Sequence, residues 1–212
     1  MTLAGGNLSE ILDRLEAFYG PQEANWPTDP YQFIVWWHCG YPASDAACAK
    51  GWAAMRKIGI EPQQLLEANP KDLAAALKAG GMVPELRAMR LKEIARRAQN
   101  GFAVTRTELK KFSNIADPGA DRILLFAGKA AIAAVPSICP HVAVRMLRGK
   151  ERENYGVTYK QAQEFIERDV PATRDARERA FLLLKKHGQE LCKRTKPKCG
   201  ECPVKDVCRY VA

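Results

Sequence analysis

No run of apolar residues in this sequence approaches the length of a membrane span, and a membrane-crossing helix is therefore not expected. Its start lacks the basic-then-apolar pattern of a secretory leader, so none is expected there. No stretch alternates apolar and polar residues as a half-buried strand does, which argues against a β-sheet protein. Internal repeats and low-complexity tracts are missing too. Even the cysteines cannot all pair: there are seven, an odd number, which fits a reducing cytoplasm better than a disulfide framework.

What is present is a chain of 212 residues, 47% hydrophobic and 27% charged, the make-up of an ordinary globular core with a solvated surface. The formal net charge is +9, unevenly spread. Residues 1–54 hold six acids and two bases, a balance of −4, which leaves +13 on the remainder. A basic face of that kind favours nucleic acid as a partner. Apolar residues recur at helical spacing throughout, from Ile11, Leu12, Leu15 and Phe18 to the segment Asp175–Lys186. Asp29-Pro30, Ser44-Asp45 and Thr105 are placed to start helices, the last through Phe112, and Ile123–Ala134 reads as a buried helix. The chain is therefore expected to be all-α. Adjacent Trp36 and Trp37 point about 100° apart, so at least one belongs to the core. The basic series Arg87, Arg90, Lys92, Arg96, Arg97 fits a phosphate backbone or a solvated helix face equally well.

Cysteine usage is the sharpest signal. Cys39, Cys48 and Cys139 lie in apolar surroundings and read as buried thiols. Cys192, Cys199, Cys202 and Cys208 instead crowd the last twenty-one residues in the spacing C-x6-C-x2-C-x5-C. Four thiolates in one short loop suit a metal centre. Zinc takes such ligands, but its loops usually pair two C-x-x-C knuckles, and only Cys199–Cys202 is one. An iron–sulfur cube is wider than an ion and accepts uneven intervals, so the tail reads as a [4Fe–4S] site. Between the first two ligands stand Lys193, Arg194, Lys196 and Lys198, a cationic loop suited to a polyanion.

The spacing, entered through His187-Gly188-Gln189-Glu190-Leu191-Cys192, resembles the cluster loop of the endonuclease III branch of DNA glycosylases, the helix-hairpin-helix enzymes of base-excision repair. The resemblance implies a six-helix barrel over residues 30–135 containing the hairpin. It implies a discontinuous cluster domain from 1–29 and 136–212, and a DNA groove between the two. It further implies a [4Fe–4S] cluster on the four cysteines and double-stranded DNA as partner; the free thiols and an oxygen-sensitive cluster fit the cytoplasm, and a monomer with no membrane partner is expected.

Particular residues depart from the family's pattern. Asp117-Pro118-Gly119-Ala120-Asp121-Arg122 stands where relatives carry a tight L-P-G-V-G-like turn that offers backbone N–H groups to a phosphate. Asp121 replaces the second glycine; it is expected to cap the following helix and to weaken phosphate binding. The Schiff-base lysine position is Ile123, which excludes the usual lyase step. The carboxylate position is His141, and the downstream arginine lands on Met146, one place after Arg145. The DNA-contacting set is then Pro118, Gly119, Ala120, Asp121, Arg122, the cluster-loop cations and Tyr41, which could stack on a base. The expected function is a DNA-binding iron–sulfur protein whose usual excision chemistry is lost or altered. The alternative is a monofunctional glycosylase for an unusual base, with His141 as the catalytic candidate activating water. A weaker third reading makes the cluster a redox or iron sensor.

Overall fold

The computed structural model describes residues 7–42, 44–151 and 154–211. Among them every regular element is helical: α1 Leu8–Tyr19, α2 Pro30–His38, α3 Asp45–Met55, α4 Pro62–Glu67, α5 Pro70–Leu77, α6 Pro84–Ala98, α7 Arg106–Leu109, α8 Asp117–Phe126, α9 His141–Arg148, α10 Tyr155–Asp169 and α11 Arg174–Glu190. None is long and apolar enough to cross a membrane.

The chain divides into two compact units, residues 25–123 and residues 1–24 with 124–212. These boundaries open the inner unit at 25 rather than 30 and close it at 123 rather than 135.

Local chemistry explains most helix starts in the inner unit. Pro30, Pro62, Pro70 and Pro84 each open a helix, where a missing N–H costs nothing and the fixed φ suits the first turn. Asp29 and Asn69 accept from backbone N–H groups of those first turns, and Ser44 does the same for α3. The core gathers Phe33, Trp36, Met55, Leu65, Leu73, Leu77 and Leu91. Trp36 is 1% exposed and Trp37 is half-buried.

Arg87 holds this unit from inside. Its guanidinium, 2% exposed, donates to the carbonyls of Met82, Cys39, Leu77 and Gly81 at 2.7–2.9 Å. Lys92 Nζ likewise closes α4, donating to Leu66 O and Ala68 O at 2.8 and 2.7 Å. These two cations therefore serve the fold, which corrects the view of the α6 series as one uniform basic stripe.

In the other unit, Leu8, Ile11, Leu12 and Leu15 of α1 meet Val142 and Met146 of α9, Phe165 and Ile166 of α10, and Leu183 and Leu184 of α11. Gly188 lets α11 approach closely, since a Cβ there would lie 2.5 Å from Cβ of Cys139. Val204 and Cys208 of the tail join the same core.

Two expected helices stop early. α8 ends at Phe126 rather than Ala134, because Gly128 adopts φ +67° and turns the chain away. Residues 130–136 then run without regular structure while Ala133, Ala134 and Val135 stay buried, and Ala133 O accepts from Gln163 Nε2 at 3.1 Å. Burial in the core overrides alanine's helix propensity there. The helix capped by Thr105 makes a single turn, closing at Leu109 instead of Phe112.

Candidate metal centre and nucleic-acid interface

α11 delivers the chain to the cysteine tail. Its end is tied to the loop by backbone bonds from Cys192 N to His187 O (2.8 Å) and from Lys198 N to Leu191 O (2.9 Å). Lys196 turns the loop with φ +53°. Cys192, Cys199, Cys202 and Cys208 line one pocket whose other walls are mainly apolar, including Met146, Leu191, Pro197 and Val211. In the absence of metal, burial pushes the Cys192 thiol up to about 11 and raises Cys202 and Cys208 as well. A metal reverses that balance by holding the thiolates directly. Among the described residues no His, Cys, Asp or Glu group of three is close enough to hold a single ion. The donor set of four sulfurs around a largely apolar pocket fits an iron–sulfur group.

One face of α9 grips the loop from behind. His141 Nε2 lies 2.8 Å from Cys192 O, and because a carbonyl only accepts, that nitrogen carries the proton. One turn on, Arg145 donates to Lys193 O and Arg194 O, each at 2.9 Å, and to Glu151 Oε1 at 2.7 Å. Three successive carbonyls are thereby fixed by residues spaced i, i+4. Arg145 also favours the Cys192 thiolate electrostatically, opposing the effect of burial. His141 is 1% exposed, its Nδ1 finds no partner, and burial lowers its proton affinity. Below the clasp, Lys193, Arg194, Lys196 and Lys198 all remain exposed, with Arg194 3.2 Å from Glu151.

α11 contributes a second contact. His187 is 1% exposed, and burial drives its pKa down to about 4. Its Nδ1 is 3.0 Å from Tyr19 Oη, and its Nε2 is 3.7 Å from Cys202 Sγ.

The hairpin segment of the inner unit is differently built. The left-handed residue between α7 and α8 is Asn114, φ +58°, so the turn precedes the glycine instead of containing it. α8 already begins at Asp117, with Pro118 and Gly119 half-buried in its first turn. Asp121 sits inside that helix rather than at its cap, a correction to the role read from sequence. Its carboxylate, 0% exposed, accepts from Arg106 Nη2 at 2.7 Å. Asp117 pairs with Lys110 at 2.6 Å and with Arg106 at 3.6 Å.

Ala120 and Arg122 are buried as well, so the side chains of Ala120, Asp121 and Arg122 do not form an outward DNA-facing set. The Arg122 guanidinium lies 3.8 Å from the Trp26 ring centroid and 5.1 Å from that of Phe33, and it reaches Asp45 at 3.5 Å. Burial lowers its pKa to about 9, leaving it a cation at neutral pH. Ile123 is 1% exposed. Tyr41, 45% exposed, is held by its backbone: its N–H donates to Gly80 O at 2.9 Å and its carbonyl accepts from Met82 N at 3.0 Å.

Sequence reasoning missed the roles of Arg145, Arg106 and Tyr19. For Arg145 there was a signal, its i+4 spacing from His141; for the others there was none, because their partners are distant in sequence.

Comparison with known proteins agrees with this geometry. Residues 192–208 match the family model described as the iron–sulfur binding domain of endonuclease III. A non-covalent endonuclease III–DNA complex superposes with a TM-score of 0.78 at 15% identity, over 96% of this chain and 94% of that one. A thermostable thymine-DNA glycosylase gives 0.71 at 17%, over 96% of each chain. The 3-methyladenine DNA glycosylase of H. pylori, bound to 1,N6-ethenoadenine, gives 0.64 at 15%, over 88% of this chain and 99% of that one. No curated relative matches the chain by sequence. The chain has the all-helical fold of endonuclease III and its fellow DNA glycosylases, and it carries the iron–sulfur binding segment of that fold at Cys192–Cys208.

Proposed function

We propose that this protein binds double-stranded DNA through a loop held rigid by a [4Fe–4S] cluster, and that it does not perform the strand-cutting or usual base-excision chemistry of the fold. Cys192, Cys199, Cys202 and Cys208 would hold the cluster, which when bound crosslinks a tail with few apolar side chains of its own. The exposed Lys193, Arg194, Lys196 and Lys198 then meet phosphates without reading sequence. Tyr41 offers an exposed ring for stacking against a base.

The observation that carries the reading is the engagement of His141. Its one proton points at Cys192 O and its other nitrogen is buried, so it has no free group to present to water. Neutral imidazole also lacks the negative charge that would stabilise a developing sugar cation. Ile123, buried and aliphatic, supplies no amine for a Schiff base.

The test is a panel of damaged and mismatched duplexes incubated with purified holoprotein and then treated with alkali. The expected result is no cleavage, together with salt-sensitive retention of duplex. Excision of any base, abolished by His141→Ala with the cluster absorbance intact, would make the protein a monofunctional glycosylase instead.

A further inference from the structure

We propose that His187 and Tyr19 form a hydrogen-bonded pair that donates to the Cys202 sulfur and sets the reduction potential of the cluster, so that His187 is a positioning residue for the metal centre. This rests on the cluster reading above. The contacts are Tyr19 Oη to His187 Nδ1 at 3.0 Å and His187 Nε2 to Cys202 Sγ at 3.7 Å, within the longer reach of a bond to sulfur.

The direction of both bonds follows from charge. A Cys202 that ligates a metal is a thiolate and can only accept. Nε2 must then carry the proton, because its lone pair facing a thiolate would be repelled. With Nε2 donating to the sulfur, the lone pair of Nδ1 faces the Tyr19 hydroxyl at 3.0 Å, so Nδ1 is the acceptor and Tyr19 the donor. Tyr19 thus selects the tautomer that serves Cys202, as a second partner does for a metal-bound histidine. The Tyr19 ring, edge-on to the imidazole at 6.0 Å between centroids, packs against it and limits its rotation.

An N–H aimed at a ligand sulfur stabilises the more negative, reduced cluster, which raises the potential. Cys192 has Arg145 as its cationic partner. At Cys202 the side-chain partner is the His187 ring instead, beside a backbone contact from Val204, so His187 supplies the side-chain N–H that tunes that sulfur. Tyr19 stands 168 positions from His187 in sequence and lies half-buried on α1, so the pair links the start of the chain to the cluster ligand.

The experiment is voltammetry of the anaerobically purified holoprotein, with visible absorbance and iron content recorded on each sample. His187→Phe should shift the midpoint potential to more negative values. His187→Gln, which keeps an amide donor, should recover most of the shift. Tyr19→Phe should shift it in the same direction but less. A His187→Phe protein with native iron content and an unchanged potential overturns the proposal. If His187→Phe fails to hold iron, Tyr19→Phe decides: a lower potential supports the relay and a wild-type value refutes it. A wild-type protein without iron–sulfur absorbance would instead defeat the cluster reading, and the relay with it.

Discussion

The cluster loop and the hairpin both bring cations and backbone to a surface, yet they treat charge in opposite ways. In the loop, the buried Arg145 and His141 satisfy carbonyls and leave Lys193, Arg194, Lys196 and Lys198 outward. In the hairpin, Arg106 and Lys110 are engaged by Asp117 and Asp121, and Arg122 is enclosed among aromatic rings. One region exports positive charge; the other cancels it internally. A shared fold therefore does not fix where a polyanion is held: the residues beneath each surface decide how much charge reaches solvent.

The largest break in that comparison comes from removing the cluster. Cys199→Ser should abolish the brown colour and the bound iron, and duplex retention should fall roughly tenfold or more as the loop loses its crosslink; iron analysis and filter retention read both. Arg87→Met probes the inner unit without touching either surface. It leaves the carbonyls of Cys39, Leu77, Gly81 and Met82 without their donor, so urea unfolding should show a loss of about 3–5 kcal/mol with DNA binding by the folded fraction unchanged.

A smaller effect sharpens the hairpin side. Asp121→Asn removes one negative charge while keeping an acceptor for Arg106. Because Arg106 is 44% exposed, stability should drop by only about 1 kcal/mol, and duplex affinity should rise by no more than about fivefold. If affinity rises far more, the hairpin is the dominant phosphate site and the comparison fails.

The smallest concerns pH. His38 is buried, with its two ring nitrogens 2.8 Å from Ile34 O and Ser113 O. Desolvation outweighs those bonds and lowers its pKa below the ordinary value. The unfolded chain therefore takes up a proton first as the medium is acidified. Stability from this group is intact above pH of about 6.5 and declines as pH falls toward the lower folded-state value. Unfolding midpoints across that window, compared with His38→Gln, measure it.

How much of this was legible in the sequence follows from the range of each interaction. The caps at Asp29, Ser44 and Thr105 were legible because a cap spans three residues. The cysteine quartet was legible for the same reason, its ligands lying within one short segment. α8 was misjudged at both ends: it starts at Asp117, just after the αL turn at Asn114, and its stop at Gly128 overrides the alanine run. Arg87 and Arg122 look like surface bases in a basic helix pattern. Only the carbonyls converging from residues 39–82, and the rings of Trp26 and Phe33, reveal them as internal. His141 fitted either a catalyst or a backbone partner until the position of Cys192 O was known.

Salt dependence of duplex affinity tests the central claim most directly, comparing the holoprotein with a variant reversed to Glu at Lys193, Arg194, Lys196 and Lys198. With cluster absorbance equal in both, the slope of log affinity against log salt should shrink by roughly 3–4, about 0.9 for each phosphate that is no longer neutralised. An unchanged slope and affinity would mean that the cationic loop does not touch DNA.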